Sequence, residues 1–357
     1  MSAMKILLIE DEEDQREAFK EAVEVFNDDE NNQGVEPDTA ANLSEASNKI
    51  DGSYDGVIID LVLGNDADGG NKIVRQLGDS FTRIPIIFVT AFPEDVVDHP
   101  SIIHTRRRSD GIYTSDLLLF QKIYDTGLTR IMGGRGLIEQ RLNDVFLKNL
   151  LPQINTWISY AETDSERTEK ALLRYALNHL IQFLEEDEKL CFPEEFYLYP
   201  PVSEGITTGS IVKEKMGDQP FVVLSPACDL VIRRDGEFKT DRILLIEIES
   251  ENDVVNTALD GIRRRQSKEN KLRDVFNNNH RDYYHWLPPT DFFGGGILNF
   301  RKLKTLNEND FNEKFGKPTI QISPSFVKDI VSRFSSYYAR QGQPDIDNKD
   351  FIDRYTT

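Results

Sequence analysis

Three short stretches decide the fold of the first third of the sequence: Ile-Leu-Leu-Ile-Glu-Asp-Glu at residues 6–12, Tyr-Asp-Gly-Val-Ile-Ile-Asp at 54–60 and Pro-Ile-Ile-Phe-Val-Thr-Ala at 85–91. Each contains a compact apolar run, followed by a carboxylate or a hydroxyl residue. Between them lie polar stretches with apolar residues at helical spacing, as in residues 14–27. Strands that alternate with helices predict a parallel sheet covered by helices on both faces.

The carboxyl ends of these strands carry side chains suited to chemistry. Glu10 and Asp11 follow the first apolar run, while Asp60 and Thr90 end the other two. An open parallel sheet binds its ligands at the carboxyl ends of its strands, so we expect these four side chains to converge. Several carboxylates together suit Mg²⁺, and a carboxylate beside that ion can act as a nucleophile toward phosphorus.

With these motifs, in this order and spacing, the first third resembles the receiver domain of response regulators. The resemblance implies a doubly wound, flavodoxin-like α/β domain with strand order 2-1-3-4-5. It implies that a histidine kinase or a phosphotransfer protein phosphorylates Asp60, and that Thr90 is the switch residue. The implied Mg²⁺ ligands are Glu10, Asp11, Asp60 and the backbone carbonyl of Val62.

One position departs from the family pattern, which has a Lys at the end of the fifth strand. No Lys occurs in residues 73–121, and we predict Arg106 as its substitute, with Arg130 as a second candidate. An arginine fork binds phosphate oxygens well but has a different reach from an ammonium group. The assignment of Arg106 makes His104 the aromatic switch position. The alternative is that residues 106–108 form an ordinary surface charge run.

The composition changes twice along the chain and predicts three parts. Residues 1–128 form the receiver domain, and residues 129–192, with apolar side chains at helical spacing, form a helical connector. Residues 193–357 are predicted to be an output domain, mixed α/β with a small β-barrel-like part. Within it, residues 209–212 and 221–226 resemble the first strands of the SH3-like barrels of PemK-type growth inhibitors.

Charge and hydropathy narrow the class of partner. The chain has 357 residues, a formal net charge of -20 and no apolar run near the roughly 20 residues that a bilayer requires. We therefore expect a cytoplasmic protein with no membrane contact. Nucleic acid is a poor partner for so acidic a chain. A predicted basic helix over residues 257–276, with Arg263 to Arg265 near Trp286, leaves nucleic-acid binding open.

The two cysteines, Cys191 and Cys228, form no C-x-x-C pair and indicate neither a disulfide framework nor a zinc site. Cysteine is among the most often buried residue types, so we predict that Cys228 is packed in the second domain. The alternative is a nucleophilic thiol activated by His280 or His285.

These observations favour a two-component response regulator, a phospho-accepting signalling protein rather than an enzyme. Phosphorylation of Asp60 is expected to pull Thr90, reorient His104 and change the face formed by the fourth and fifth strand-helix units. Besides the kinase or phosphotransfer protein, a second copy of the chain is a candidate partner. Two alternatives remain: a receiver-controlled enzyme such as a nuclease or toxin, and a pseudo-receiver that serves as a scaffold.

Overall fold

The computed structural model describes residues 3–50, 52–80, 82–110, 112–184, 190–233, 238–260 and 267–340. The chain divides into two compact units, Met1–Asp187 and Glu188–Thr357. The helices that follow residue 128 therefore group with the first unit. Among the described helices, none has the length and apolar character needed to cross a membrane.

The first unit is built on five parallel strands in the order β2-β1-β3-β4-β5, which confirms the predicted fold class. The three central strands are buried on both faces because their residues are almost all aliphatic. The strands are β1 Met4–Ile9, β2 Val35–Ala40, β3 Gly56–Ile59, β4 Ile86–Thr90 and β5 Ile102–Arg107.

Helices cover this sheet on both faces. One face packs against Ala46 and Val74 of the second and third helices, and the other against Phe19 and Phe120 of the first and fourth. Apolar residues at helical spacing place these side chains inward. The helices are α1 Glu13–Asn27, α2 Leu43–Lys49, α3 Gly69–Asp79 and α4 Tyr113–Asp125.

The connection from β4 to β5 differs from the prediction. A fourth strand-helix unit was expected, but the described residues 91–101 contain only a 3-10 turn at Pro93–Asp95. Two prolines in the segment oppose a helix. Asn71 of α3 holds the segment instead: its amide donates to the Asp95 carbonyl at 3.0 Å and its oxygen accepts from the Val97 amide at 2.9 Å.

Four more helices follow in the described residues 128–184, and this part of the chain is helical as predicted. Trp157 packs edge-on against Tyr175, with 5.7 Å between ring centroids, and Arg83 pairs with Glu139. The helices are α5 Leu128–Met132, α6 Leu137–Val145, α7 Ile154–Thr163 and α8 Ser165–Leu184, with irregular helical turns at Phe146–Leu150 and Leu151–Gln153.

The second unit contains a curled antiparallel sheet of seven strands in the order β10-β11-β9-β8-β7-β12-β6. Its core includes Ile246, Leu298, Phe300 and Ile330, all fully buried. The strands are β6 Tyr197–Leu198, β7 Ser210–Lys213, β8 Pro220–Val223, β9 Ile243–Glu249, β10 Tyr284–Leu287, β11 Gly296–Leu306 and β12 Ile320–Ile322. The helices are α9 Glu251–Asp260, α10 Lys268–Phe276, α11 Glu308–Lys314 and α12 Pro324–Tyr338.

Two predictions for the second unit fail or fall outside the described residues. The predicted basic helix is two shorter helices, α9 and α10, and the run Arg263 to Arg265 lies outside the part that the structure describes. The prediction that Cys228 is packed is wrong, because this residue is exposed in the loop after β8. Its sulfur lies 3.5 Å from an Asp229 carboxylate oxygen.

Candidate functional site

Pairing of β1 with β3 places the first two carboxylates side by side. Ile9 is in register with Ile59, so Glu10 and Asp60 are each one residue beyond the paired positions. The Asp60 amide donates to the Ile9 carbonyl at 3.0 Å, which fixes the start of the loop after β3. The parallel register thus brings these two acids to the same edge of the sheet.

The structure brings together the three predicted carboxylates. One side-chain oxygen each from Glu10, Asp11 and Asp60 lies within 4.8 Å of the others. Glu10 and Asp60 are only 1% and 5% exposed, whereas Asp11 is half-buried. No other group of three or more candidate metal-ligating side chains occurs in the ranges that the structure describes. Hard carboxylate oxygens in this number are a donor set that suits Mg²⁺.

Burial shapes the acidity of this group. Removal from water raises the pKa of Glu10 to about 7, with a further contribution from the neighbouring Asp60 charge. Burial also raises the pKa of Asp60, although the Arg108 charge and a hydrogen bond from Thr90 oppose that rise. A positive charge beside these carboxylates opposes the effect of burial and favours their ionised forms.

Arg108 supplies the positive charge that faces the carboxylates. Its Nη2 atom lies 2.7 and 3.0 Å from the two Glu10 oxygens and 2.8 Å from Asp60 Oδ2. Its Nη1 atom donates to Glu12 at 2.8 Å. Arg108 opens a 3-10 turn, Arg108–Asp110, directly after β5. From there the side chain reaches across the carboxyl ends of the strands.

The arginine predicted for this role, Arg106, has a different partner. Its Nε lies 3.0 Å from Asp116 Oδ1 and its Nη2 lies 2.5 Å from Oδ2, and both side chains are nearly buried. Arg106 is inside β5, on the face that α4 covers, and Asp116 is in the first turn of α4. The helix begins at Tyr113, so Asp116 does not cap it. Asp116 serves instead as a buried counter-ion.

The second predicted substitute, Arg130, lies on α5. Its guanidinium packs over the Tyr124 ring, 5.1 Å from the centroid. It borders a groove shared with Lys5 and Asp55, residues at the amino ends of β1 and β3. The carboxylate group lies at the opposite ends of these strands.

The remaining predicted residues are placed as follows. Thr90 is fully buried at the end of β4, bonds the Asp60 carboxylate, and its hydroxyl accepts from the Phe92 amide at 3.3 Å. Val62 is half-buried in the loop after Asp60, and its role as a ligand stays a prediction. His104 is exposed on β5 opposite Ile87, and its switch role also stays a prediction.

Sequence reasoning missed Gly70, which the site requires. Its amide donates to the Leu61 carbonyl at 2.9 Å, and a Cβ atom there would lie 2.4 Å from the Asp60 carbonyl oxygen. Only a glycine lets α3 begin this close to the Asp60 loop. The Gly-Gly pair at residues 69–70 was the available signal.

Comparison with solved structures finds receiver domains over the first third of the chain. One from Methylobacillus flagellatus is 23% identical, covers 33% of this chain and 97% of its own, with a TM-score of 0.28. A receiver protein from Pseudoalteromonas atlantica is 16% identical over 34% of this chain and 98% of its own, with a TM-score of 0.27.

A third structure is the N-terminal domain of a response regulator/sensory box/GGDEF protein from Carboxydothermus hydrogenoformans. It is 20% identical over 35% of this chain and 98% of its own, with a TM-score of 0.27. No family model and no curated protein matches the chain.

Proposed function

We propose that this chain is a phospho-accepting signalling protein in which Asp60 takes a phosphoryl group from the phosphohistidine of a kinase or phosphotransfer protein. A single observation carries the proposal: Asp60 is buried beside two further carboxylates, a hydroxyl and a guanidinium. Buried acids with raised pKa values, gathered at the carboxyl edge of a parallel sheet, are typical of a functional site.

The proposed chemistry uses Asp60 as the nucleophile. A carboxylate oxygen of Asp60 attacks phosphorus, an oxygen-phosphorus bond forms, and the phosphorus-nitrogen bond to the donor imidazole breaks. The electron pair of the broken bond stays on the imidazole nitrogen. The product is an acyl phosphate, whose phosphoryl oxygens carry about two negative charges where the carboxylate carried one.

Glu10, Asp11 and Asp60 would hold Mg²⁺ in this site. Their carboxylate oxygens are the kind of ligand that a hard divalent cation would take. When bound, the ion offsets negative charge on the phosphoryl oxygens during transfer.

Two side chains are placed to bind the new phosphoryl group. The Thr90 hydroxyl and the Arg108 guanidinium both already contact the Asp60 carboxylate. Each can turn its donor to a phosphoryl oxygen, and hydrogen bonds from a guanidinium to such an anion are strong. Phosphorylation would therefore move the residues at the carboxyl ends of β4 and β5 toward the phosphoryl group. Thr90 leads into the segment that Asn71 holds, and Arg108 into the turn before α4.

A scaffold that never accepts phosphate is the second candidate. Its support is the same Arg108, whose guanidinium supplies a fixed positive charge to the Glu10 and Asp60 carboxylates. The role of the second unit as the output, and the pairing of two copies of the chain, belong to the proposal for a signalling protein.

Labelling with a small phosphodonor separates these two candidates. We expect the full chain incubated with acetyl phosphate and Mg²⁺ to gain one phosphate by intact mass, and Asp60→Asn to gain none. Asp66→Asn is the matched control, since Asp66 lies in the same loop but is paired with Lys72. An unlabelled wild-type chain, or equal labelling of Asp60→Asn, would refute the signalling proposal.

A further inference from the structure

The Arg108 guanidinium already bonds the carboxylate oxygens that a bound cation would use as ligands. A single nitrogen, Nη2, bridges Glu10 and Asp60 at 2.7 to 3.0 Å. Glu10 Oε1 also accepts from the Glu12 amide at 3.1 Å. Both Glu10 oxygens are therefore engaged, and an ionised carboxylate has only about four acceptor sites.

We propose that Arg108 and a divalent cation are alternative counter-ions for Glu10 and Asp60, so that the cation binds only when Arg108 withdraws from Glu10. The inference rests on the proposed function only for the cation site itself. Two positive charges sharing the same buried oxygens would repel each other, whereas either one alone neutralises them.

The structure supplies a place for the withdrawn guanidinium. Nη1 of Arg108 already holds Glu12, whose side chain is 56% exposed at the rim of the hollow. The Arg108 side chain is itself 25% exposed, and its Nε has no hydrogen-bond partner although it is buried. Arg108 can therefore keep its bond to Glu12 while it leaves Glu10, and it gains solvent for Nε.

The movement would be confined to the turn after β5. Arg106, two residues earlier, is anchored by its buried pair with Asp116 of α4. That pair keeps β5 against α4 while the turn at Arg108–Asp110 adjusts. Cation binding would thus prepare Arg108 for a phosphoryl group before any phosphate arrives.

The test is Mg²⁺ affinity, measured by isothermal titration calorimetry on the full, unphosphorylated chain. Removal of the competing guanidinium should tighten binding, so we expect Arg108→Ala to bind Mg²⁺ at least about tenfold more tightly than wild type. Arg107→Ala removes the same formal charge one residue away, where Arg107 is 55% exposed and pairs with Glu94. We expect its affinity to stay within about twofold of wild type.

Arg108→Lys keeps the charge without the fork and should fall between wild type and the alanine variant. If circular dichroism shows that Arg108→Ala is unfolded, the affinity of Arg108→Lys decides the question. Equal or weaker Mg²⁺ binding by a folded Arg108 variant overturns the inference. Absence of binding to every variant overturns it together with the cation site. Phosphodonor labelling of Asp60 is a separate measurement, so failure of the proposed function would be seen independently.

Discussion

The two units arrange their acidic residues in opposite ways. In the first unit, three carboxylates from two strand ends face one another in a hollow, two of them buried. In the second, Glu247 and Glu249 lie along β9 and share Lys302 at 2.7 and 2.8 Å. Like charges gathered out of water are costly and point to a function, whereas pairs at the surface are an ordinary way to solvate a sheet.

The two units also differ in the surroundings of their buried ionisable groups. Glu10 in the first unit faces Arg108 at hydrogen-bond distance. His285 in the second unit is 2% exposed, and neither ring nitrogen has a hydrogen-bond partner. Burial raises the pKa of the acid and lowers that of the base, so it disfavours the charged form of both. The opposite charge that faces Glu10 is at hydrogen-bond distance, whereas the Asp329 carboxylate lies 3.8 Å from His285 Nδ1 and makes no hydrogen bond with it.

The largest effect on stability is expected at the buried pair of Arg106 and Asp116, which holds Arg106 away from the proposed phosphate site. Asp116→Ala leaves a guanidinium buried without its counter-ion and should lower the free energy of unfolding by about 3 to 5 kcal/mol. Urea denaturation measures this loss. Asp125→Ala, an exposed position on the same helix, should change little. The double variant Arg106→Met/Asp116→Leu should recover most of the stability, and a failure to recover would mean that the pair does more than neutralise charge.

The next effect is a pH dependence that comes from Glu10. Its pKa is raised from 4.5 to about 7, so its contribution to stability is complete at low pH and is lost as the pH rises through 7. Between pH 5 and pH 7.5, with a chelator present, wild type should lose up to about 3 kcal/mol relative to Glu10→Gln. Denaturation curves at the two pH values test this. If wild type instead gained stability relative to Glu10→Gln between pH 5 and pH 7.5, that result would contradict the raised pKa of Glu10.

The pH dependence of stability that comes from His285 should have the opposite sign to that from Glu10 and should be smaller. Burial, aided by the Arg333 charge, lowers its pKa to about 3, so its contribution to stability is present above pH 6.5 and is lost as the pH falls. Acidification from pH 7.5 to pH 5 should therefore cost wild type about 2 kcal/mol more than His285→Phe.

Fluorescence of Trp286, in a Trp157→Phe background, reports unfolding of the second unit alone because these are the only two tryptophans. Equal acid sensitivity of the two proteins would show that His285 is not the titrating group.

The smallest effect is expected at the surface pair of the second unit. Lys302 is 45% exposed, and Lys302→Met should change the free energy of unfolding by less than about 1 kcal/mol. The same denaturation assay measures it, with added salt as a control that screens the pair. A loss comparable to that of Asp116→Ala would remove the distinction between the two units.

The sheet of the first unit was predictable because aliphatic runs of strand length, ending in carboxylates, leave few other folds. The residue that supplies the positive charge at the site was not predictable from the sequence. Arg106 and Arg108 have the same side chain two positions apart, and what divides them is the point at which β5 ends. Arg106 lies inside the strand and pairs with Asp116 of α4. Arg108 lies beyond the last residue of β5 that pairs with β4, so its side chain can turn across the strand ends.

Tertiary contacts explain the other differences. The segment between β4 and β5 is held by Asn71, a residue more than twenty positions away in sequence. The exposure of Cys228 depends on how the loop after β8 leaves the sheet, and no local pattern reports that. The side chains of Glu10, Asp11, Asp60 and Thr90 could be assigned to one edge because parallel strands align their ends.

The central claim is that Asp60 forms an acyl phosphate, and position-specific trapping tests it most directly. Borohydride reduces an aspartyl phosphate to homoserine, which peptide mass spectrometry locates in the chain after exposure to a phosphodonor and Mg²⁺. The account predicts homoserine at position 60 and its loss when Mg²⁺ is chelated. Homoserine at another aspartate, or at none while the protein is folded, would contradict it.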